Sequence, residues 1–285
     1  MLEERTFETG STTINFAEGP TNGRPLVLLH GGSARWQFWG PLLEGLVSTN
    51  HVYAPDFRGH GGSSWTPGHY RLLDYASDVG AFLREMVREP ASLFGHSMGG
   101  EVAMIVAAQW PDRIRSVILE DAPLSADVSR RAIESSRPTL LLMRALAGST
   151  LPLEELTQRV GELPVDPSNE RNILLGDVAS DDDLRMYAES MRQHDPAMLD
   201  AVLKFDEMHA GYDDGVAGHV GCPVLILRAD PSVGGVLLDA DVAHALALMP
   251  DARCVRFDGA GHSIHIADPQ GVLDVVVPFL DEMGT

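Results

Sequence analysis

Short apolar runs at residues 25–30, 91–94, 116–119 and 223–227 set the rhythm of the chain. Each is too short for a helix and is bounded by turn residues, as expected of parallel strands buried on both faces. Weaker strand patterns stand at 52–55 and 254–257, and residues 12–16 alternate like a half-exposed strand near a sheet edge. Helical spacing fills the intervals. Tyr75, Val79, Phe82, Leu83 and Met86 recur on one face, and further helices are predicted at 240–249 and around 272–280, the last bent at Pro278. Strands alternating with helices predict an α/β fold with a mostly parallel sheet.

The rhythm changes between residues 124 and 220. No convincing buried strand appears there, only helical patterns broken by Pro138, Pro152, Pro164, Pro167 and Pro196. Ser180 followed by Asp181, Asp182 and Asp183 reads as a helix start with an acidic first turn, a better account of the triple Asp than a metal site. The segment also holds Met143, Met186, Met191, Met198 and Met208, five of the chain's 11 methionines. Methionines at helical spacing ordinarily serve as core, and they also suit an adaptable apolar pocket under a helical lid.

The chemistry concentrates where the second run ends, in Gly95-His96-Ser97-Met98-Gly99-Gly100. Gly-x-Ser-x-Gly between a buried strand and a helix is the nucleophile-elbow pattern. A side chain at Gly95 or Gly99 would collide with nearby backbone, and the serine is lifted to the end of the sheet beside the first amides of a helix. The following residues, among them Gly100, Ala103, Ala107 and Ala108, are small enough for that helix to pack closely on the sheet. The same pattern without chemistry would be a tight Ser/Gly turn. Downstream of 52–55, Asp56-Phe57-Arg58-Gly59-His60-Gly61-Gly62-Ser63 lacks the spacing of a dinucleotide or P-loop motif. It reads as a structural turn fixed by Asp56 and Arg58. Most of the aromatic surface of Trp36, Phe38 and Trp39 is expected to be core or pocket wall.

Composition narrows the partners. The 285-residue chain is 44% hydrophobic, enough for a large core without disulfides or metal. A formal charge of −20 excludes the basic patches that nucleic acid or anionic membrane require. Cys222 and Cys254 are expected to be buried free thiols, and neither an apolar leader nor a membrane-length run is visible. These features predict a cytoplasmic protein, with a small-molecule substrate as partner and nothing against a homodimer.

Four motifs in order carry a resemblance: His30-Gly31-Gly32, Asp56-x-Arg58-Gly59-x-Gly61-x-Ser63, Gly95-x-Ser97-x-Gly99 and Gly259-x-Gly261-His262. Together they resemble the α/β-hydrolase superfamily over nearly the whole chain. The resemblance implies an α/β-hydrolase fold, a mostly parallel eight-stranded sheet with helices on both faces. Its core domain would comprise residues 1–123 and 221–285, with residues 124–220 inserted as a helical cap. It also implies Ser97 as nucleophile, His262 as general base, and the amides of Gly32 and Met98 as oxyanion hole, with no cofactor and no metal. His265 is a less suitable base. The acid departs from the usual pattern, since the customary Gly and Asp positions after the penultimate strand hold Ala229 and Ser232. Asp121, at the end of the strand after the elbow helix, is the best match, with Asp230 and then Glu120 as alternatives.

The expected activity is that of a serine hydrolase cleaving an ester or lactone of a small, largely apolar molecule. Carbon–carbon bond hydrolysis or peracid formation by the same Ser-His pair is the alternative, as is a hydrolase-derived small-molecule receptor. A serine at position 97, rather than an aspartate, argues against the epoxide hydrolases and haloalkane dehalogenases of the superfamily.

Overall fold

A computed structural model describes residues 2–165 and 173–283. Its strands are β1 (Glu3–Glu8), β2 (Thr13–Glu18), β3 (Arg24–Leu29), β4 (Asn50–Pro55), β5 (Ala91–His96), β6 (Ile114–Glu120), β7 (Val224–Ala229) and β8 (Ala252–Phe257). They form one sheet of order β1-β2-β4-β3-β5-β6-β7-β8. The pairs β1–β2 and β2–β4 are antiparallel, and every other pair is parallel. The four apolar runs are thus the adjacent central strands β3, β5, β6 and β7. Their residues alternate between two cores. Val27, Leu29, Leu93 and Val117 face one, while Leu26, Leu28, Phe94 and Ile118 face the other.

The helices are α1 (Gly40–Val47), α2 (Leu72–Phe82), α3 (Met98–Gln109), α4 (Ala126–Leu146), α5 (Leu153–Gly161), α6 (Asp181–Arg192), α7 (Pro196–Leu203), α8 (Phe205–Met208), α9 (Asp239–Leu248), α10 (Ile264–Ala267) and α11 (Pro269–Glu282). Leu42 and Leu46 of α1 and Val272, Val276 and Phe279 of α11 cover one face of the sheet. Apolar side chains of α2, α3 and α9 cover the other. This is the α/β-hydrolase fold.

Two elements were not visible in the hydrophobic pattern. Strand β1 is almost wholly exposed and rich in charge, and it joins the sheet edge by backbone pairing with β2 and by polar side-chain contacts such as the Arg5–Glu18 ion pair. The 21-residue helix α4 runs through Pro138, which the sequence suggested as a break. Proline inside a helix costs about 3 kcal/mol. Here it sits on the exposed side of α4, while the opposite side packs inward. Pro278 is likewise inside α11, Pro152 and Pro196 stand at helix starts, and Pro164 forms a single bridge with Leu174. Pro167 lies outside the described residues. Ser180 caps α6 as expected, accepting from the Asp183 amide while the Asp183 carboxylate returns to the Ser180 amide.

Asp56 accepts from the amides of Trp36 and Gly62 and from Asn15 Nδ2, at 2.7, 2.9 and 2.8 Å. The Arg58 fork meets Asp78 at 2.6 and 2.7 Å in a buried pair. Both side chains therefore fasten the turn after β4. Trp39 is core, packed between Phe94 and His265. Cys222 and Cys254 are free thiols but half-buried rather than buried. No helix among the described residues is long and apolar enough to cross a membrane.

Candidate active site

Ser97 stands between β5 and α3 with φ 52° and ψ −122°, a left-handed backbone that a non-glycine residue adopts only under constraint. The constraint comes from its glycines. A Cβ at Gly95 would lie 2.4 Å from the Gly99 carbonyl oxygen, and one at Gly99 2.0 Å from that of Leu29. Ser97 donates its amide to the Glu120 carbonyl at 3.0 Å, which ties the elbow to the end of β6.

Strand register decides what meets this serine. His96 pairs with Glu120 across β5 and β6, and Glu120 with Leu227 across β6 and β7. The next residue of β5 is Ser97 and the next of β6 is Asp121, so the two leave neighbouring strands at one level. Asp121 also has a positive φ, 39°, and its amide donates to Leu227 O at 2.8 Å. Its buried carboxylate accepts from the amides of Ala229 and Val236 at 3.3 and 2.9 Å. His262, in the loop after β8, lies between the two. Its Nδ1 donates to Asp121 Oδ2 at 2.7 Å, and its Nε2 accepts from Ser97 Oγ at 2.9 Å.

The alternative acids lie elsewhere. Asp230 accepts from the amides of Ser232 and Gly259 at 2.9 and 3.0 Å, and these bonds hold its carboxyl down at about 2. It clips the end of β7 to the loop that carries His262. Glu120, wholly buried, accepts from His265 Nδ1 at 2.8 and 2.9 Å and from the His265 amide at 2.8 Å. Burial alone would raise the Glu120 carboxyl, but the His265 charge and hydrogen bonds outweigh it and hold it at about 2. Two consecutive carboxylates at the end of β6 thus serve two histidines, His262 in the loop after β8 and His265 in α10. Glu120→Gln should cost about 3 kcal/mol of stability by breaking a buried pair, as read from urea unfolding. The wild-type contribution is present above about pH 4.5, the ordinary glutamate value, and fades as pH falls towards 2.

Gly32 and Met98 line the same cavity as Ser97 and His262. Among the described residues no backbone hydrogen bond takes the amide of either one. The loop bearing Gly32 is fixed by neutral imidazoles. His30 donates Nδ1–H to Gly31 O at 2.7 Å and accepts the Phe57 amide at 3.0 Å. His60 donates to Arg58 O and accepts the Ser33 amide at 3.3 Å. Each needs one unprotonated nitrogen, and burial supplies it by pulling His30 to about 4 and His60 well below its ordinary value. His96, pulled by burial to about 3, donates Nε2–H to the His262 carbonyl at 3.1 Å. The sequence singled out His30 only as part of a motif, and His60 and His96 not at all; the signal for His30 and His96 was position, at or just beyond strand ends.

His262 is different. Burial lowers it, but the hydrogen bond and charge of Asp121, with the charge of Glu120, prevail and raise it above its ordinary value. The imidazole is thus a stronger base than a free histidine, and Asp121 fixes which nitrogen faces Ser97. Such an arrangement can deprotonate the serine as it attacks a carbonyl.

The cavity measures about 330 Å³ and is walled largely by apolar side chains, including Ile133, Leu140, Met143, Met198, Leu199 and Val202. Of the five methionines between residues 124 and 220, Met143, Met198 and Met208 line it. Met191 instead belongs to a separate core with Leu156 and Val160, and Met186 is not among the lining residues. Helical spacing could not separate these cases, because it gives a residue's face and not what covers that face.

The chain matches the alpha/beta hydrolase family over residues 26–275. It belongs to that family. It is 29% identical over 283 residues to 2-(acetamidomethylene)succinate hydrolase of Mesorhizobium japonicum, an alignment that covers 97% of this chain and 95% of the relative. Identity to N-formylmaleamate deformylase of Pseudomonas putida is also 29%, over 91% of this chain and 89% of that one. The crystal structure of an E-2-(acetamidomethylene)succinate hydrolase superposes with a TM-score of 0.78 at 25% identity, covering 99% of this chain and all of the other.

Proposed function

We propose that this alpha/beta hydrolase cleaves a carboxylic ester or lactone of a small, largely apolar molecule through an acyl-serine intermediate. The observation that carries the reading is His262, within 2.9 Å of Ser97 Oγ and 2.7 Å of Asp121. Ser97 Oγ attacks the carbonyl carbon and its proton passes to His262 Nε2. The amides of Gly32 and Met98 hold the oxyanion, and His262 returns the proton to the leaving alkoxide as the C–O bond breaks. Water then repeats the sequence on the acyl-serine and frees the acid. Asp121 orients His262 and stabilises its charged form. In this reading residues 124–220 are a cap whose α4 and α7 close the cavity over Ser97, and the small-molecule substrate enters beneath them.

The two relatives favour a second reading, hydrolysis of an amide by the same residues, since one acts on an acetamido compound and the other removes a formyl group. Their names also specify succinate and maleamate. Here the described lining residues include Glu101 and neither lysine nor arginine, a wall unsuited to a dicarboxylate. Reaction of Ser97 with a fluorophosphonate, then rates on an ester and an amide of one acyl group, test the proposal and separate it from a receptor. An unreactive Ser97 would refute both hydrolase readings.

The pH dependence follows from His262. Protonated, it cannot accept the serine proton, so kcat/KM falls as pH drops through its ionisation. Because Asp121 raises that ionisation, the acid limb should be a single step centred above about 6.5, the ordinary histidine value. A limb centred below about 6 would contradict the role given to Asp121.

A further inference from the structure

The wall of the cavity is largely apolar, and its one carboxylate among the described lining residues is Glu101, the one charged residue of α3. Glu101 lies four residues beyond Ser97, about 6 Å along the helix axis. Its side chain is only 5% exposed. Oε1 accepts from Ser129 Oγ on α4 and, with both ring nitrogens of His209 protonated, from His209 Nε2 at 3.4 Å. His209 cannot turn away, because Nδ1 donates to Phe205 O at 3.1 Å and the ring stacks on Phe205 at 3.8 Å. Oε2 takes no hydrogen bond among the described residues. Glu101, Ser129 and His209 all line the cavity that holds Ser97 and His262.

A carboxylate buried in an apolar wall is costly unless both oxygens find donors. Packing alone would be served as well by leucine at this position, in a cavity also lined by Val202 and Met208. With Oε1 engaged, Oε2 is the acceptor that this lining residue has left to offer. From these contacts we propose that Glu101, held by Ser129 and His209, is a specificity subsite for a hydrogen-bond donor, a hydroxyl or amine, on one arm of the substrate. The proposal rests on the reading of Ser97 as nucleophile and adds the class of molecule it attacks. An apolar chain placed there would leave the carboxylate unpaired, and sites built to hydrogen-bond a substrate group discriminate strongly against analogues that lack it.

The test compares matched esters that differ only at the chain end. On the acyl arm these are ethyl heptanoate, ethyl 6-hydroxyhexanoate and ethyl 6-aminohexanoate; on the alcohol arm, pentyl acetate and 4-hydroxybutyl acetate. In the wild-type protein the donor-ended ester should have the higher kcat/KM on one arm, and the hydroxyl and amine chains tell which donor is preferred. Glu101→Gln and Glu101→Leu should lower that donor-to-methyl ratio by about tenfold or more. Melting temperatures check folding, and Glu101→Gln carries the comparison if the leucine variant is unstable. Ratios unchanged within about twofold on both arms, in the variants and the wild type alike, would overturn the subsite. If the wild-type protein turns over no ester and its Ser97 resists fluorophosphonate, the hydrolase reading has failed. The subsite is then judged separately, from dissociation constants of the same esters on Ser97→Ala and Ser97→Ala/Glu101→Gln proteins. A donor preference lost with Glu101 upholds it, and equal ratios reject it.

Discussion

Replacing Ser97 with alanine should lower kcat/KM by about three orders of magnitude or more while leaving the fold intact. The hydroxyl makes one hydrogen bond, to His262 Nε2, so its loss removes no structural tie. The strained backbone at residue 97 is imposed by Gly95, Gly99 and the hydrogen bond from the residue 97 amide to the Glu120 carbonyl, all retained in the variant. Residual activity would come from the Gly32 and Met98 amides and from substrate binding, which act without the nucleophile. Turnover of a short p-nitrophenyl ester beside a thermal melt gives both quantities. A folded variant with turnover near that of the wild type would exclude the serine mechanism.

The carboxylates at the strand ends should separate as sharply. Asp121→Asn is expected to cost up to about 10⁴ in kcat. Asp121 uses its two oxygens to accept from Ala229 N, Val236 N and His262 Nδ1. Asparagine keeps the shape but has one oxygen and an amino group that only donates. It lacks the charge that holds the ring proton on Nδ1 and stabilises the protonated imidazole, so Ser97 faces a weaker base. Asp230→Asn should stay within a few-fold of the wild-type rate, since Asp230 caps a turn and has no contact with His262. The pair is measured on one ester under identical conditions. An active Asp121→Asn protein with an inactive Asp230→Asn protein would reverse the assignment.

Much of this architecture was legible locally. The four central strands announced themselves because burial on both faces demands unbroken apolar runs, and the elbow because its steric demands admit only glycine at two fixed positions. The Ser180 cap was readable for the same reason, a side chain satisfying amides three residues away. Strand β1 was not legible, because an exposed edge strand joined through its backbone has no hydrophobic pattern to show. Pro138 misled because its cost is local while the packing that offsets it comes from elsewhere in the fold.

The site divides along the same line. By itself the sequence singled out Ser97 and His262, since each sits in a glycine-rich turn at a strand end whose spacing is short-range. It ranked Asp121 ahead of Asp230 and Glu120 without fixing the choice, since all three stand at strand ends. Only the tertiary structure decided that Asp121 meets His262, because the pairing register of β5, β6 and β7 sets which residues leave the sheet together. The left-handed turn at Asp121 then separates it from Glu120, sending one carboxylate to His262 and the other to His265. The Glu101, Ser129 and His209 cluster likewise required the fold, since it joins residues on three elements up to 108 positions apart. Register and packing are properties of chain segments distant in sequence, and no periodicity within one segment encodes which partner it will meet.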